Sequence, residues 1–390
     1  MQPQTTVKFD RKTFDRIKKT IKNISTASRV RKEYPNYAAL VPEEIGIQLT
    51  YRCNMRCNHC FQWNERGFFH NFEKKEKNRE LDANIIEKIL KETEEAKSNL
   101  YFWGGEPLVH REWEEIVKIL EKDSRWTVLC TNGLLLEKKL ESLLRISSNL
   151  ALLISLDGFQ EENDAIRGKG TFHYIEKNLM LLSSIQKKGE YKGKISLNCV
   201  LNDQIVPKLF EFTEYCESLA IDTIYFCFPW FISEKTAILM DEYYQTNFSW
   251  LNSLMEKQKS SWHSYTYHLA HSTIDILQKQ IKKLNSRAWK IRFRFQPALE
   301  IEEFEDFIKG KEKPGQNKCQ CLAVSNRMDV LANGDVSACK LFPEFTIGNL
   351  YEQRITEIWH SERFNKVREI IHKGLMPICS KCVLLYLHGR

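Results

Sequence analysis

The stretch YRCNMRCNHCFQ places Cys53, Cys57 and Cys60 on one short loop. Thiolates are soft ligands that suit zinc, copper or iron–sulfur clusters. A structural zinc takes four protein ligands, commonly as two closely spaced pairs, and here the fourth would have to be His59, squeezed between the last two cysteines. A cubane [4Fe–4S] cluster on three thiolates instead leaves one iron open to an outside ligand. The spacing therefore suits a cluster that binds something.

A second set follows near the C-terminus: Cys319, Cys321, Cys339, Cys379 and Cys382. Between Cys321 and Cys339, MDVLANGDVSAC reads as a hairpin turning at Asn333-Gly334. Four thiolates with a CxxC pair describe a zinc ribbon as well as an iron–sulfur site. Cys130, Cys199, Cys216 and Cys227 stand apart. Cys216 shares a helical face with Phe212 and Leu219, and Cys130 and Cys199 sit among apolar strand residues, so all three read as core. Cys227, near the end of the run YFCFPW, reads as core packing or as a thiol facing a lumen.

Something must hold these loops. Six β-like runs, at 45–51, 99–105, 125–132, 149–158, 194–202 and 222–230, alternate with amphipathic helical patterns. Recurring strands with intervening helices imply parallel pairing and right-handed crossovers. The expectation is an α/β fold, a partial (β/α)6 TIM-like barrel with a C-terminal cysteine-rich extension. In such barrels chemistry gathers at the C-terminal strand ends. Cys53, Gly104-Gly105-Glu106-Pro107, Thr131-Asn132-Gly133 and Ser155-Leu156-Asp157-Gly158 all fall there. The expected divisions are a basic helical segment at 1–44, the barrel at 45–230, a helical aromatic-rich insert at 231–309 and the cysteine-rich module at 310–390.

The chain has 390 residues, 42% of them hydrophobic, and a formal charge of +7. That composition suits a folded enzyme with a sizeable core. Much of the positive excess precedes residue 33, where Phe14, Ile17, Ile21 and Ile24 recur at helical spacing. A solvated helix packed on the domain is the plain reading; a dock for an acidic partner is the other. No recognised nucleic-acid module is visible. Neither an apolar signal segment nor an apolar run of eighteen residues occurs, so a cytoplasmic protein with reduced thiols is expected and a membrane partner is not.

The order of these motifs resembles the radical S-adenosylmethionine (SAM) superfamily over residues 45–230. The resemblance implies a [4Fe–4S] cluster on Cys53, Cys57 and Cys60 whose open iron is chelated by SAM, and whose electron cleaves SAM to a 5′-deoxyadenosyl radical. It implies Gly104, Gly105 and Glu106 at the SAM ammonium, Ser155 and Asp157 at the ribose, and Arg167 at the carboxylate. His59 stands where the family places an aromatic ring near adenine. Each motif alone would be a turn, a strand cap or a surface ion pair; their joint order argues otherwise.

The C-terminal module resembles the SPASM/twitch extension, with Gly334 before Cys339 and Gly348-Asn349 after it. The single-cluster twitch form is the better match, implying one auxiliary [4Fe–4S] cluster on Cys321, Cys339, Cys379 and Cys382 in electron transfer, with Cys319 a spare or an alternative to Cys321. A ribosomally made peptide is the expected substrate, through cross-linking, thioether formation or epimerisation. Some radical SAM peptide epimerases use a thiol as hydrogen donor, the role Cys227 would take. The alternatives are a dehydrogenase or epimerase of a small sugar or aminocyclitol, and a non-catalytic metal-binding scaffold. A flavodoxin- or ferredoxin-like reductant is the implied partner.

Overall fold

In the computed structural model, which describes residues 4–70, 72–251 and 259–390, the six expected runs form β1 (Glu44–Thr50), β2 (Asn99–Gly104), β3 (Thr127–Thr131), β4 (Leu150–Ser155), β5 (Lys194–Val200) and β6 (Thr223–Cys227). All are parallel neighbours in chain order. Alternation along each strand sorts the two faces. Ile45, Ile47 and Leu49 of β1 are fully buried in the core. The helices Ala83–Glu92 and Trp113–Lys122 bury Ile85, Ile86 and Ile89, and Ile116, Val117 and Leu120, in the same core. The α/β architecture is a partial TIM-like barrel.

The sheet extends further at both edges. A seventh strand, β7 (Arg292–Gln296), pairs parallel with β6. It falls inside the 231–309 segment expected to be helical. The run RFRFQ alternates charge and aromatic ring with period two, burying Phe293 and Phe295 while Arg294 is exposed; its brevity among helical patterns hides it. The helices Glu234–Asn247 and Thr273–Leu284 do occupy the segment. The NSLM end of its aromatic run lies outside the described residues.

At the other edge, β8 (Arg327–Val330) pairs parallel with β1 and turns through the expected hairpin into β9 (Asp335–Ser337), which pairs with β10 (Thr346–Asn349). The single sheet runs β10-β9-β8-β1-β2-β3-β4-β5-β6-β7. Gly46 leaves room for the Arg327–Asp329 pair beside β1: a Cβ there would lie 1.9 Å from Asp329 Oδ1 and 2.1 Å from Arg327 Nη2.

The N-terminal helix spans Arg11–Val30, capped by Asp10, whose Oδ1 accepts from the Thr13 amide at 2.8 Å. Its packing face is turned from the expected stripe. Phe14 and Ile21 are exposed, whereas Arg16 lies flat over Trp126 at 3.6 Å and Ala27 is buried. Long side chains cover apolar surface with their stems, which lets Arg16 take an inward position.

Candidate functional site

The end of β1 launches the cysteine loop and the end of β2 is pressed against it. Gly105 N donates to Thr50 O and Glu106 N to Arg52 O, each at 2.8 Å. A Cβ on Gly104, whose φ is +148°, would lie 2.4 Å from Thr50 O, and one on Gly105 would lie 2.0 Å from Arg52 O. The two glycines thus admit backbone against backbone. Glu106 is buried, and its carboxylate accepts from Thr131 Oγ1 and Asn132 N, both at 2.7 Å, and from Leu108 N at 3.1 Å. Burial raises its pKa, and these donors work against that. Asn132 Nδ2 donates to Asn54 Oδ1 in the cysteine loop at 2.7 Å. The Gly-Gly-Glu and Thr-Asn-Gly motifs are therefore two sides of one hydrogen-bonded frame around that loop.

The helix Gln160–Arg167 holds the other side. Asn58 donates through its backbone N to Ile166 O and through Nδ2 to Ala165 O, each at 2.9 Å. Arg167 Nη1 lies 3.9 Å from Cys57 Sγ, and its Nε makes a 2.7 Å ion-pair contact with Asp157 Oδ2. His59 Nε2 lies 2.7 Å from the same oxygen, and Val200 N donates to Asp157 Oδ1 at 2.8 Å. Burial would push the Asp157 carboxyl up, but the Arg167 guanidinium and His59 outweigh it and hold it at about 2.

Asp157 is fully buried, with Val200 N on Oδ1 and His59 and Arg167 on Oδ2, so it orients His59 and Arg167. Half-buried Ser155, at the end of β4, is the more open member of that motif. The His59 ring stands edge-on to Tyr267, 5.7 Å between centroids.

Among the first three thiols, burial pushes Cys53 up to about 12 and Cys57 up to about 11, the latter against the pull of Arg167. Ligation must displace these protons. The donor set fits the implied cluster: three thiols on one short loop, framed by Glu106 on one side and Arg167 on the other.

In the C-terminal module, Cys321, Cys339, Cys379 and Cys382 line a single cavity. Cys319 does not line it and is exposed. Four thiols around one cavity are a donor set that fits an iron–sulfur cluster.

Cys227 ends β6. Cys227 Sγ donates to Asn198 Oδ1 at 2.9 Å and lies 3.5 Å from Gln296 Oε1, so it bridges β5, β6 and β7. Burial pushes its thiol upward and keeps the S–H. Cys130 corrects the core assignment. Leu129 beside it is fully buried in the core, so Cys130 faces the opposite way and shares a side-chain hydrogen bond with Tyr101. Strand alternation in VLCT carried that signal. Cys199 and Cys216 are core, as expected.

Residues 47–212 match the radical SAM superfamily, and residues 319–383 match the SPASM iron–sulfur cluster-binding domain. The chain belongs to the radical SAM superfamily. It carries its SPASM domain at the C-terminus. It is 32% identical over 167 residues to the mycofactocin maturase MftC of Mycolicibacterium smegmatis, a match covering 42% of this chain and 39% of that protein. It is 26% identical to the AdoMet-dependent heme synthase of Methanosarcina barkeri over 87% of this chain and 88% of that one. The radical SAM fold is shared with Streptococcus suis SuiB bound to S-adenosylmethionine, at a TM-score of 0.58 and 16% identity over 92% of this chain and 74% of SuiB. SuiB is also known bound to its precursor peptide SuiA. Among the described residues no helix is long and apolar enough to cross a membrane.

Proposed function

We propose that this radical SAM protein is a peptide-modifying enzyme, abstracting hydrogen from a ribosomally made peptide to cross-link it, form a thioether or invert a residue. The observation that carries the radical chemistry is the three-thiol loop clamped between Glu106 at the end of β2 and Arg167 at the end of the helix Gln160–Arg167. Cys53, Cys57 and Cys60 would hold a [4Fe–4S] cluster with an open iron, and SAM would bind beside it. When bound, that cluster supplies the electron that splits SAM and yields the 5′-deoxyadenosyl radical.

The chain's own residues do the rest. Glu106 fixes the loop and offers the carboxylate for an ammonium, while Gly104 and Gly105 bring the backbone close. Arg167, oriented by Asp157, offers a guanidinium for a carboxylate, the geometry it suits best. Ser155 and His59 border the same space. Cys227, protonated and aimed by Asn198, can give a hydrogen atom from Sγ to a substrate radical in the lumen. Cys321, Cys339, Cys379 and Cys382 would hold one auxiliary [4Fe–4S] cluster for electron transfer.

The peptide reading is supported by MftC, named a maturase, and by the fold shared with SuiB, which binds a precursor peptide. A second reading, a small-molecule substrate, is supported by the heme synthase, which aligns over nearly its whole length. A flavodoxin- or ferredoxin-like protein would supply the electron. A reducing cytoplasm suits twelve unpaired cysteines.

The deciding experiment incubates the anaerobically reconstituted protein with SAM and short peptides encoded beside its gene, reading 5′-deoxyadenosine and peptide mass. A mass change, or deuterium uptake from heavy water at one residue, establishes the maturase. Deoxyadenosine formation stimulated only by a small polar molecule establishes the other reading, and zinc in place of iron returns the protein to a scaffold.

A further inference from the structure

Four cations are buried around the C-terminal thiols without a carboxylate in ion-pair contact, though Asp329 acts on Lys340, and Asp306 and Glu312 on Lys381, at longer range. Arg31 and Arg368 are 0% exposed, Lys381 is 1% and Lys340 is 9%. Among the described residues none of them forms an ion pair. Asp329, which lines the same cavity, hydrogen-bonds Arg327 at 2.9 and 2.6 Å, and Arg327 also pairs with Glu44, so Asp329 offsets Lys340 only at longer range. Their direct contacts are with neutral groups. Arg31 Nη1 reaches Cys321 O at 3.5 Å and its Nη2 donates to Arg368 O at 2.9 Å. Lys381 Nζ donates to Phe307 O at 2.9 Å, and Arg368 Nε to Val324 O at 2.9 Å. Lys340 Nζ stands 4.4 Å from the Tyr101 ring centre.

Their placement follows the thiols. Lys340 succeeds Cys339, Lys381 lies between Cys379 and Cys382, and Arg31 touches the backbone of Cys321. Buried charges without partners are costly, and folded proteins pair them or place them on metal sites. A cubane on four thiolates is a dianion when oxidised and a trianion when reduced, and its potential is set in part by nearby charge.

We propose that Arg31, Lys340, Lys381 and Arg368 form a cationic shell that supplies the counter-charge of the C-terminal cluster and raises its reduction potential. This rests on the reading that Cys321, Cys339, Cys379 and Cys382 hold a [4Fe–4S] cluster. Uptake of one electron from a substrate radical adds one negative charge to the centre, and the shell favours that state. Arg31 ends the basic N-terminal helix, so this segment becomes part of the redox centre.

The test is an EPR-monitored redox titration of the full-length reconstituted protein. Arg31→Met and Lys340→Met should each shift the C-terminal cluster to a more negative potential, further in the double variant, with the N-terminal cluster unmoved; Lys340→Arg should keep the wild-type value. Unchanged potentials at full iron content overturn the shell, and an unchanged potential with a raised KM assigns Lys340 to substrate instead. Where a methionine variant loses its second set of irons, Arg31→Lys and Lys340→Gln replace it: lysine must preserve the potential and glutamine must lower it.

Thermal unfolding adds an independent sign. In the cluster-free Cys379→Ser/Cys382→Ser protein, Lys340→Met should raise the unfolding temperature, because the cation there has lost its counter-charge. A fall in that background marks a packing role and overturns the proposal. Zinc in the C-terminal site would instead defeat the cluster reading itself, an outcome read from metal content alone.

Discussion

The two cysteine centres differ in how their charges are closed. Around the three-thiol loop the chain supplies both signs: Asp157 takes Arg167 and His59, and Glu80 takes Arg52 and Arg111 at 3.0 and 3.2 Å. Around the four-thiol cavity the buried cations make no ion pair, and acids reach Lys340 and Lys381 only at longer range. The first centre thus holds its cations in direct pairs, while the second leaves them to neutral partners. On the proposed reading, the first arrangement suits a pocket that exchanges ligands and the second a site whose thiols carry negative charge.

The largest expected effect breaks the first centre outright. Replacing Cys53, Cys57 and Cys60 by Ala should abolish 5′-deoxyadenosine formation, measured by chromatography after reduction with dithionite; retained cleavage would place the reaction elsewhere. Breaking the second centre should act differently. Cys379→Ser with Cys382→Ser should drop iron from about eight to about four per chain and stop net substrate conversion, while SAM cleavage continues. Full turnover in that protein would remove the electron-transfer role.

Subtler changes sharpen the contrast. Asp157→Asn strips the carboxylate from a buried arginine, a loss of about 3 to 5 kcal/mol, and should weaken SAM binding at least tenfold in calorimetry. At the second centre, burial together with nearby Arg327 and Lys340 pulls His388 down to about 4. An unfolded histidine titrates near 6.5. The folded state therefore keeps His388 neutral, and its contribution, about 3 kcal/mol, is complete above pH ~6.5 and lost as the pH falls through about 4. Denaturant unfolding at stepped pH should show that decline, and His388→Gln should flatten it.

Much of this was legible from the chain because it is local. The six strands announced themselves by alternation between helices, and the thiols by spacing within single loops. What escaped was set by distance along the chain. β8 reads as half of a hairpin, and only folding brings Arg327–Val330 beside Glu44–Ile47. Nothing near Asp157 in sequence shows that His59 and Arg167 share its oxygens. The buried cations stand at positions 31, 340, 368 and 381, a grouping no motif could suggest.

The β1–β8 pairing has a mechanical consequence. β1 delivers the loop bearing Cys53, while β8 and its hairpin deliver Cys339, and the two strands are laced by a shared register from Glu44↔Arg327 to Ile47↔Val330. Adjacent strands sit about 4.8 Å apart and slip only by whole residues, each slip exchanging the faces of the sheet. The sheet thereby acts as a ruler between the two cysteine-bearing loops. Divergence in substrate must then be accommodated by the loops and helices around the barrel, while the spacing of the two loops is held by the shared register.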